Sequence, residues 1–390
     1  MRFPALLGYG FRPFFLAAGI AAVVLVPWWA LSLTGGVPLE TPWPPTLWHG
    51  HEMIFGFIGA AIAGFLLTAV PSWTGQRGFA GWPLALLIGL WLLGRLVVAT
   101  SAHWPLLLTA AIDAAFFPAL GIMLLPLLLR ARNRNTPLLL VLLALCLANA
   151  TFYWGLGSAN RALAHGALLT ALNVILLLLT VMGGRIVPAF TSSGLKEHRG
   201  GRLIRTWPGV NALAIGAMAA VGLIDLGFAQ TRVAGVFALV AAIVQGIRLA
   251  QWGAWRTLRQ PIVWVLHVAY AWLPIGLALK ALALLSGGAF AAFWLHALTI
   301  GAAATMILAV MTRASLGHTG RALVVSRPTV LAYALLTGAA IVRVLGLDLS
   351  HAPYATVITL VALLWTAAFA LFLWVYAPML LMPRADGRAG

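Results

Sequence analysis

The chain has 390 residues, of which 63% are hydrophobic and only 8% are charged, and its formal net charge is +17. Ordinary soluble domains are about half apolar and about a quarter charged, so this composition excludes a soluble globule and predicts a polytopic helical membrane protein. The positive charge does not indicate binding of nucleic acid, because the Lys and Arg residues lie in short loops between apolar runs. The single cysteine, Cys146, excludes a disulfide framework and a CxxC-type metal site.

Apolar runs long enough to cross a bilayer, about 20 residues each, recur along the whole chain. They are rich in Leu and Ala and lack the alternation of a β-barrel strand, so we expect an all-α protein. The runs predict one transmembrane domain over residues 1–390 with a short cytoplasmic tail at about 378–390. The twelve predicted spans are 14–34, 47–71, 82–101, 105–129, 137–156, 162–183, 208–226, 231–250, 261–284, 290–312, 328–346 and 353–377.

The loops between the runs carry an alternating charge. Most of the 24 Lys and Arg residues fall in every second connecting segment, beginning with Arg2 and Arg12 at the N-terminus. Positively charged short loops remain in the cytoplasm, so both termini are predicted to be cytoplasmic. The first run is longer than the core of a cleaved signal peptide, and we expect it to be a span.

The second run opens with the sequence WHGHEM at residues 48–53, which places two imidazoles and a carboxylate at the outer end of a span. Titratable groups at membrane depth are costly and are therefore candidates for function. A neutral imidazole is the commonest metal ligand and suits haem iron and copper. His49 and His51 lie about 200° apart around a regular helix, so they cannot bind one metal together. Glu52 could hold a ligating imidazole in one tautomer, or relay protons.

Three other imidazoles lie in apolar runs. His165 and His296 lie in the outer parts of the sixth and tenth runs, whereas His267 lies about 9 Å from the inner end of the ninth. The second, sixth and tenth runs each have a histidine near the outer end and polar residues at the cytoplasmic end. This pattern predicts a threefold repeat of four-helix units around one site, with coincidence among similar apolar sequences as the alternative.

Two charged residues in neighbouring runs are expected to form an ion pair. Arg95 and Asp113 lie at similar predicted depth, and an unpaired charge in lipid is expensive. The sequence contains no Gly-rich nucleotide loop, nucleophile elbow or set of kinase motifs.

Several motifs spread over most of the chain are specific in combination. They are GFRPFF at 10–15, WHGHEM at 48–53 followed by Gly56, GFLLTA at 64–69 leading into WTG at 73–75, GRIVP at 184–188 with Phe190 and Thr191, and Arg313 followed by GHTGR at 317–321. On these motifs the chain resembles the NnrS family of bacterial membrane proteins. The resemblance implies an inner-membrane protein with haem and copper, associated with denitrification and with resistance to nitric oxide.

The predicted architecture is also similar to the main subunit of the haem–copper oxidases. Twelve spans, inside termini and histidines on spans two, six and ten are shared with that subunit. However, the seventh span has no His-His pair and the tenth has no His-x-His. A full copy of that site with two haems and one copper is therefore not expected, and the likeness is one of fold alone.

The leading hypothesis is a membrane protein that binds or reduces nitric oxide at a buried metal site in the outer half of the bilayer. We expect it to use a b-type haem, copper, the surrounding lipid and an electron donor that the sequence does not identify. The candidate residues are His51 and His296 as axial haem ligands, His165 as a further cofactor ligand, His49, His165 and His267 as ligands of a second metal or haem, and Glu52 as the catalytic carboxylate.

Two alternatives stay open at this stage, and with them the question of whether the protein is an enzyme. Twelve spans with inside termini suit a secondary transporter, although its polar groups should lie near the midplane rather than near one face. The protein could also be a sensor that binds nitric oxide or a metal without turning it over.

Overall fold

The computed structural model describes residues 4–199, 204, 206–287, 293–350 and 352–387, except for the side chains of 196–199 and 347–350. These residues form helices, turns and loops without a β-strand, which confirms the all-α prediction. Twelve helices in the described part are long and apolar enough to cross a membrane. They are α1 (Phe11–Leu33), α2 (Pro45–Thr74), α3 (Trp82–Ala99), α4 (Leu106–Arg130), α5 (Leu138–Gly157), α6 (Arg161–Leu195), α7 (Pro208–Phe228), α8 (Arg232–Ala250), α9 (Pro261–Ser286), α10 (Trp294–His318), α11 (Arg327–Gly346) and α12 (Tyr354–Leu381).

The sixth helix is longer than its predicted span. The predicted end at residue 183 is wrong, because helical structure continues through Pro188 to Arg199. A Cβ atom on Gly184 would collide with the guanidinium of Arg248. The glycine therefore permits a close approach between helices rather than ending one. The predicted start of α10 at 290 falls on residues outside the described ones.

Two helices contain a π-helical segment immediately after a histidine. In α2 the segment Glu52–Ile58 follows His51, and in α10 the segment Ala297–Ala304 follows His296. Such segments are rare and occur frequently at functional sites. The described α6 is assigned as α-helix throughout. The predicted likeness of spans two and ten thus extends to backbone geometry, whereas the threefold arrangement stays a prediction.

The chain divides into two compact units. The first comprises Met1–Ala171, Met311–Leu323 and Phe369–Gly390, and the second comprises Leu172–Val310 and Val324–Ala368. Whether residues 1–390 form one domain, as expected from the sequence, stays a prediction.

In the first unit, α2 is enclosed by its neighbours. Its most apolar stretch is 83% buried, against 33% for α3 and 39% for α4. Aromatic side chains fill the space around it; for example, the rings of Phe55 and Phe117 lie 6.2 Å apart in an edge-on contact. A polar side chain that α2 turns inward is therefore removed from both water and lipid.

Arg12 joins the two ends of the chain within the first unit. Its Nη1 donates hydrogen bonds to the carbonyl oxygens of Met379, Leu380 and Met382 at 3.3, 3.0 and 2.6 Å. The last carbonyls of a helix have no partners within it, so a buried cation stabilises the end of α12. The start of α1 and the end of α12 consequently lie on the same side. That this side is cytoplasmic stays a prediction from the loop charges.

In the second unit, α9 packs against α8 and against the π-helical segment of α10. A Cβ atom on Gly301 would lie 2.5 Å from the ring of Trp272, so the two helices approach closely at this glycine. Polar groups between α8 and α9 bond to one another: Tyr270 donates to Gln245 at 2.5 Å and accepts from Arg248 at 2.9 Å.

Candidate functional site

A cluster of buried polar side chains lies in the first unit, near the end where α2 and α4 begin and α3 and α5 end. Four helices contribute to it, and none of its side chains is more than 11% exposed. We call this the Glu52 cluster. Its members are His51 and Glu52 from α2, Arg95 from α3, Asp113 from α4, and Asn149 and Tyr153 from α5.

Arg95 links the two carboxylates of the cluster. Its Nη1 donates to Glu52 Oε1 at 2.5 Å, and its Nη2 donates to Asp113 Oδ1. The predicted ion pair between Arg95 and Asp113 is thus confirmed, and Glu52 is a second anion on the same guanidinium. A buried charge without a partner is strongly destabilising, so this sharing makes the carboxylates tolerable in an apolar bundle.

Asp113 accepts hydrogen bonds at its other oxygen as well. Asn149 Nδ2 donates to Asp113 Oδ2 at 2.8 Å, and the Tyr153 hydroxyl donates to it at 3.0 Å. Asn149 and Tyr153 are four residues apart and therefore share one face of α5. Neither residue was predicted to belong to the site, although a polar pair at this spacing in an apolar run could have indicated it.

Both ring nitrogens of His51 face oxygen atoms. Nδ1 lies 3.1 Å from Glu52 Oε1, while Nε2 lies 3.1 Å from Asn149 Oδ1 and 3.2 Å from Asp113 Oδ2. This is the arrangement of an imidazole that donates from both nitrogens, and its positive charge then balances the second carboxylate. In this geometry His51 offers a metal no lone pair, so ligation by His51 would require these contacts to change.

Two atoms of the cluster, Glu52 Oε2 and Arg95 Nε, have no hydrogen-bond partner among the described residues. Glu52 Oε2 is buried and makes no hydrogen bond with the described residues. Aromatic rings close the site around His51: the centroids of Phe152, Phe55 and Trp43 lie 4.7, 4.9 and 5.6 Å from that of the imidazole. The cluster therefore holds a carboxylate oxygen that is shielded from solvent and able to accept a proton.

The other predicted ligands of the first unit lie apart from the cluster. His49 stacks on Trp29 of α1, with ring centroids 3.9 Å apart, rather than joining His51. This placement agrees with the expectation that the two cannot share a metal in a regular helix. His165 is exposed at the start of α6.

In the second unit, His267 and His296 lie at opposite ends. Nineteen residues separate His267 from Ser286 at the end of α9, which corresponds to about 28 Å of helix. A short connection then leads to α10, where His296 is half-buried in the first turn. These two imidazoles therefore cannot hold the same metal ion.

The hydrogen bonds of His267 define which of its nitrogens carries the proton. Its Nε2 lies 2.9 Å from Thr191 Oγ1, and the Thr191 hydroxyl donates its own proton to the Val187 carbonyl at 2.8 Å. Nε2 must therefore be the donor, which leaves the lone pair of the neutral ring on Nδ1. Nδ1 is buried and has no hydrogen-bond partner among the described residues.

These observations test the fit to the implied haem and copper. Among the described residues, no three His, Cys, Asp or Glu side chains are grouped so that they could hold a metal ion. A copper site built from several such ligands therefore does not fit. A haem iron needs only one or two imidazoles, each with an available lone pair. Single donors of this kind fit, and His267 Nδ1 supplies one.

A second buried ion pair lies in the second unit, near the end where α7 and α9 finish. Lys280 Nζ donates to Asp225 Oδ1 and Oδ2 at 2.7 and 2.5 Å. Asn173 donates to Asp225 Oδ2 at 2.8 Å, and the Lys280 ammonium lies 5.0 Å from the ring centroid of Trp294. This ion pair was not predicted from the sequence.

Comparison with known proteins shows a family match over nearly the whole chain. The family model described as NnrS protein matches residues 5–384, nearly the full length. This match confirms the resemblance inferred from the motifs, and its range includes every residue of the Glu52 cluster. No curated protein matches the chain.

Proposed function

Because the chain belongs to the NnrS family, we propose that it binds or reduces nitric oxide at a haem centre in the outer half of a bacterial inner membrane. Family membership fits a membrane protein of the nitric oxide response, and the twelve apolar helices fit a multi-pass protein. The observation that carries the finer proposal is the Glu52 cluster, in which a shielded carboxylate oxygen is built from a family motif.

The reduction of nitric oxide explains why such an oxygen is useful. Two molecules of nitric oxide take up two electrons and two protons and give nitrous oxide and water. Nitric oxide itself is small, uncharged and soluble in lipid, so it reaches an apolar bundle without a polar channel. The protons need a buried group that accepts and releases them, and a carboxylate at membrane depth is such a group.

Each member of the cluster then has a role in the proposal. Glu52 Oε2 is the atom that takes up and releases the proton. Arg95 orients Glu52 through Oε1, and Asp113 with Asn149 holds the imidazole of His51 beside it. The aromatic rings around His51 shield this part of the cluster from water.

A bound haem would supply the binding of nitric oxide and the transfer of single electrons from an external donor. His296 is the imidazole proposed to hold a haem in the outer half, and His49 and His165 are alternative single ligands. His267 lies at the opposite end of the second unit from His296 and would hold only a separate, second haem. His51 belongs to this set only if its contacts with Glu52 and Asp113 are exchanged for a metal. Its present contacts favour a role in orienting Glu52.

The proposal is tested with protein purified from cells supplied with haem. We expect a Soret band that shifts on anaerobic addition of nitric oxide, and a weaker band in His296→Ala or His267→Ala. His103→Ala is the matched control, because the His103 side chain is 66% exposed in a loop. Absence of a Soret band, or an unchanged band in His51→Ala, His267→Ala and His296→Ala alike, would refute haem ligation by these residues.

Turnover separates an enzyme from a sensor. With ascorbate and phenazine methosulfate as electron donor, an enzyme consumes nitric oxide steadily on an anaerobic electrode. A spectral shift without steady consumption assigns the protein as a sensor or a sink for nitric oxide.

One observation favours a secondary transporter as the second candidate. Transporters commonly bind their substrate where helices are interrupted at related positions, and α2 and α10 each carry a π-helical segment after a histidine. Counterflow of a solute into liposomes containing metal-free protein would support this function. An absence of counterflow together with consumption of nitric oxide would exclude it.

A further inference from the structure

Arg343 is a buried cation whose described surroundings contain no anion. It lies near the end of α11 and is 5% exposed. Its Nη1 is buried and has no hydrogen-bond partner among the described residues. Its polar contact with the described residues is a long one, from Nη2 to the Tyr354 hydroxyl at 3.4 Å.

The other buried cations of the described spans are satisfied differently. Arg12 donates to three carbonyl oxygens, and Lys280 contacts both oxygens of Asp225. Arg248 donates to Asn211 Oδ1, to the Thr180 carbonyl and to the Tyr270 hydroxyl. Burial of a guanidinium without such partners is unfavourable. We therefore expect Arg343 to bind a hydrogen-bond acceptor that the described residues do not supply.

Two aromatic rings lie close to the Arg343 guanidinium. The Arg343 guanidinium carbon lies 5.1 Å from the ring centroid of Phe293 and 5.5 Å from that of Tyr354. An aromatic ring at this distance stabilises the cation through the ring face. It does not accept a hydrogen bond from the N–H groups that lie in the plane of the guanidinium. The Nη1 protons lie in that plane, where a carboxylate or similar planar oxyanion binds best.

The site lies at the end of the second unit that also holds His296. Phe293 precedes His296 by three residues, so one helical turn separates the wall of the site from the imidazole. Tyr354 is the first residue of α12, and the N-terminus of a helix is the positive end of its dipole. The helix dipole favours an anion at this position.

We propose that Arg343, between Phe293 and Tyr354, binds a planar oxyanion through Nη1. The oxyanion has two possible sources. One is a carboxylate side chain of a haem held at His296, and this source depends on the proposed function. The other is a free small anion such as nitrite, and this source does not depend on the proposed function.

The first arm of the test compares haem with its dimethyl ester, in which both carboxylates are neutral. If Arg343 binds a haem carboxylate, wild-type protein binds haem about tenfold more tightly than the ester, the factor expected from one charge-assisted hydrogen bond. Arg343→Gln removes this preference by weakening haem and not the ester. Arg232→Gln is the matched control, since Arg232 is an exposed cation of the same unit and should keep the preference.

The second arm uses cofactor-free protein and nitrite. If the site takes a free oxyanion, nitrite raises the thermal unfolding midpoint of wild type and of Arg232→Gln but not of Arg343→Gln. Arg343→Lys keeps the positive charge but lacks the planar guanidinium, and it replaces Arg343→Gln in the test if that variant does not fold. In whichever of the two experiments wild type responds, Arg343→Lys should respond less than wild type. Because this arm needs no haem, it also decides the case in which the proposed function fails.

The proposal is overturned if neither arm shows a dependence on Arg343. It is also overturned if Arg343 pairs with Asp348, whose side chain lies outside the described ones. In that case Asp348→Asn would lower the unfolding midpoint as much as Arg343→Gln, with no further loss in the double variant.

Discussion

The two compact units each bury a carboxylate in an ion pair, and they complete it in different ways. In the second unit, Lys280 occupies both oxygens of Asp225, and Asn173 adds a further donor. In the first unit, Arg95 is shared between Glu52 and Asp113, and Glu52 Oε2 has no partner among the described residues. We call the pair of Asp225 and Lys280 closed, because both carboxylate oxygens have partners. A closed pair can only stabilise or destabilise the fold, whereas a carboxylate oxygen without a partner can also exchange a proton.

The largest expected effect is on turnover. Glu52→Gln keeps the shape of the side chain but cannot carry a proton, so we expect the rate of nitric oxide consumption to fall about 10²–10⁴-fold, the usual contribution of an acid–base group. The Soret band should be unchanged, because Glu52 is not a proposed haem ligand. Asp225→Asn, the corresponding change in the closed pair, should leave the rate per haem unchanged in protein that folds.

Equal losses of rate in the two variants would break the comparison. They would mean that the first cluster is as purely structural as the second.

The next effect is on stability. Asp225→Asn leaves Lys280 buried without its anion, so we expect a loss of about 3–5 kcal/mol in the free energy of unfolding. Replacing both partners by apolar residues, as in Asp225→Leu with Lys280→Met, should restore most of it, since no buried charge then remains. Thermal unfolding in detergent measures both variants. If the double variant were no more stable than Asp225→Asn, the ion pair would contribute to stability in some way beyond cancelling the two buried charges.

The two asparagines provide a closer comparison. Asn149→Leu removes partners from both Asp113 and His51, whereas Asn173→Leu leaves Asp225 with both contacts to Lys280. An unsatisfied buried polar group costs about 1–3 kcal/mol, so Asn149→Leu should destabilise the protein more than Asn173→Leu. Thermal unfolding of the two variants side by side tests this order. The reverse order would contradict the view that the first cluster depends on its whole network.

The smallest effect concerns the π-helical segment of α10. Gly301→Ala adds a methyl group against the ring of Trp272 and should destabilise the protein by about 1–3 kcal/mol, as overpacking usually does. Gly246→Ala is the control, because no atom lies within 4 Å of a Cβ atom built there. This control should be neutral or slightly stabilising, since alanine favours a helix. If Gly301→Ala is also neutral, the close contact of α9 with α10 does not hold the segment in place.

The sequence alone determined the parts of this protein that depend on local composition. The twelve spans follow from the length of each apolar run, because a helix must satisfy its backbone within the run to cross a membrane. The pair of Arg95 and Asp113 could be predicted because a charge in an apolar run needs an opposite charge at the same depth. Family membership could be inferred from motifs that are contiguous in the chain.

Tertiary structure decided everything that depends on which side chains meet. The contacts of His51 with Glu52, Asp113 and Asn149 join three helices, and the spacing of residues along the chain does not encode them. The close contact of α6 at Gly184 involves Arg248 of another helix, and the protonated nitrogen of His267 is defined by Thr191 of α6. Helical periodicity specifies the face on which a residue lies, but the partner across that face is selected by packing over long distances in sequence.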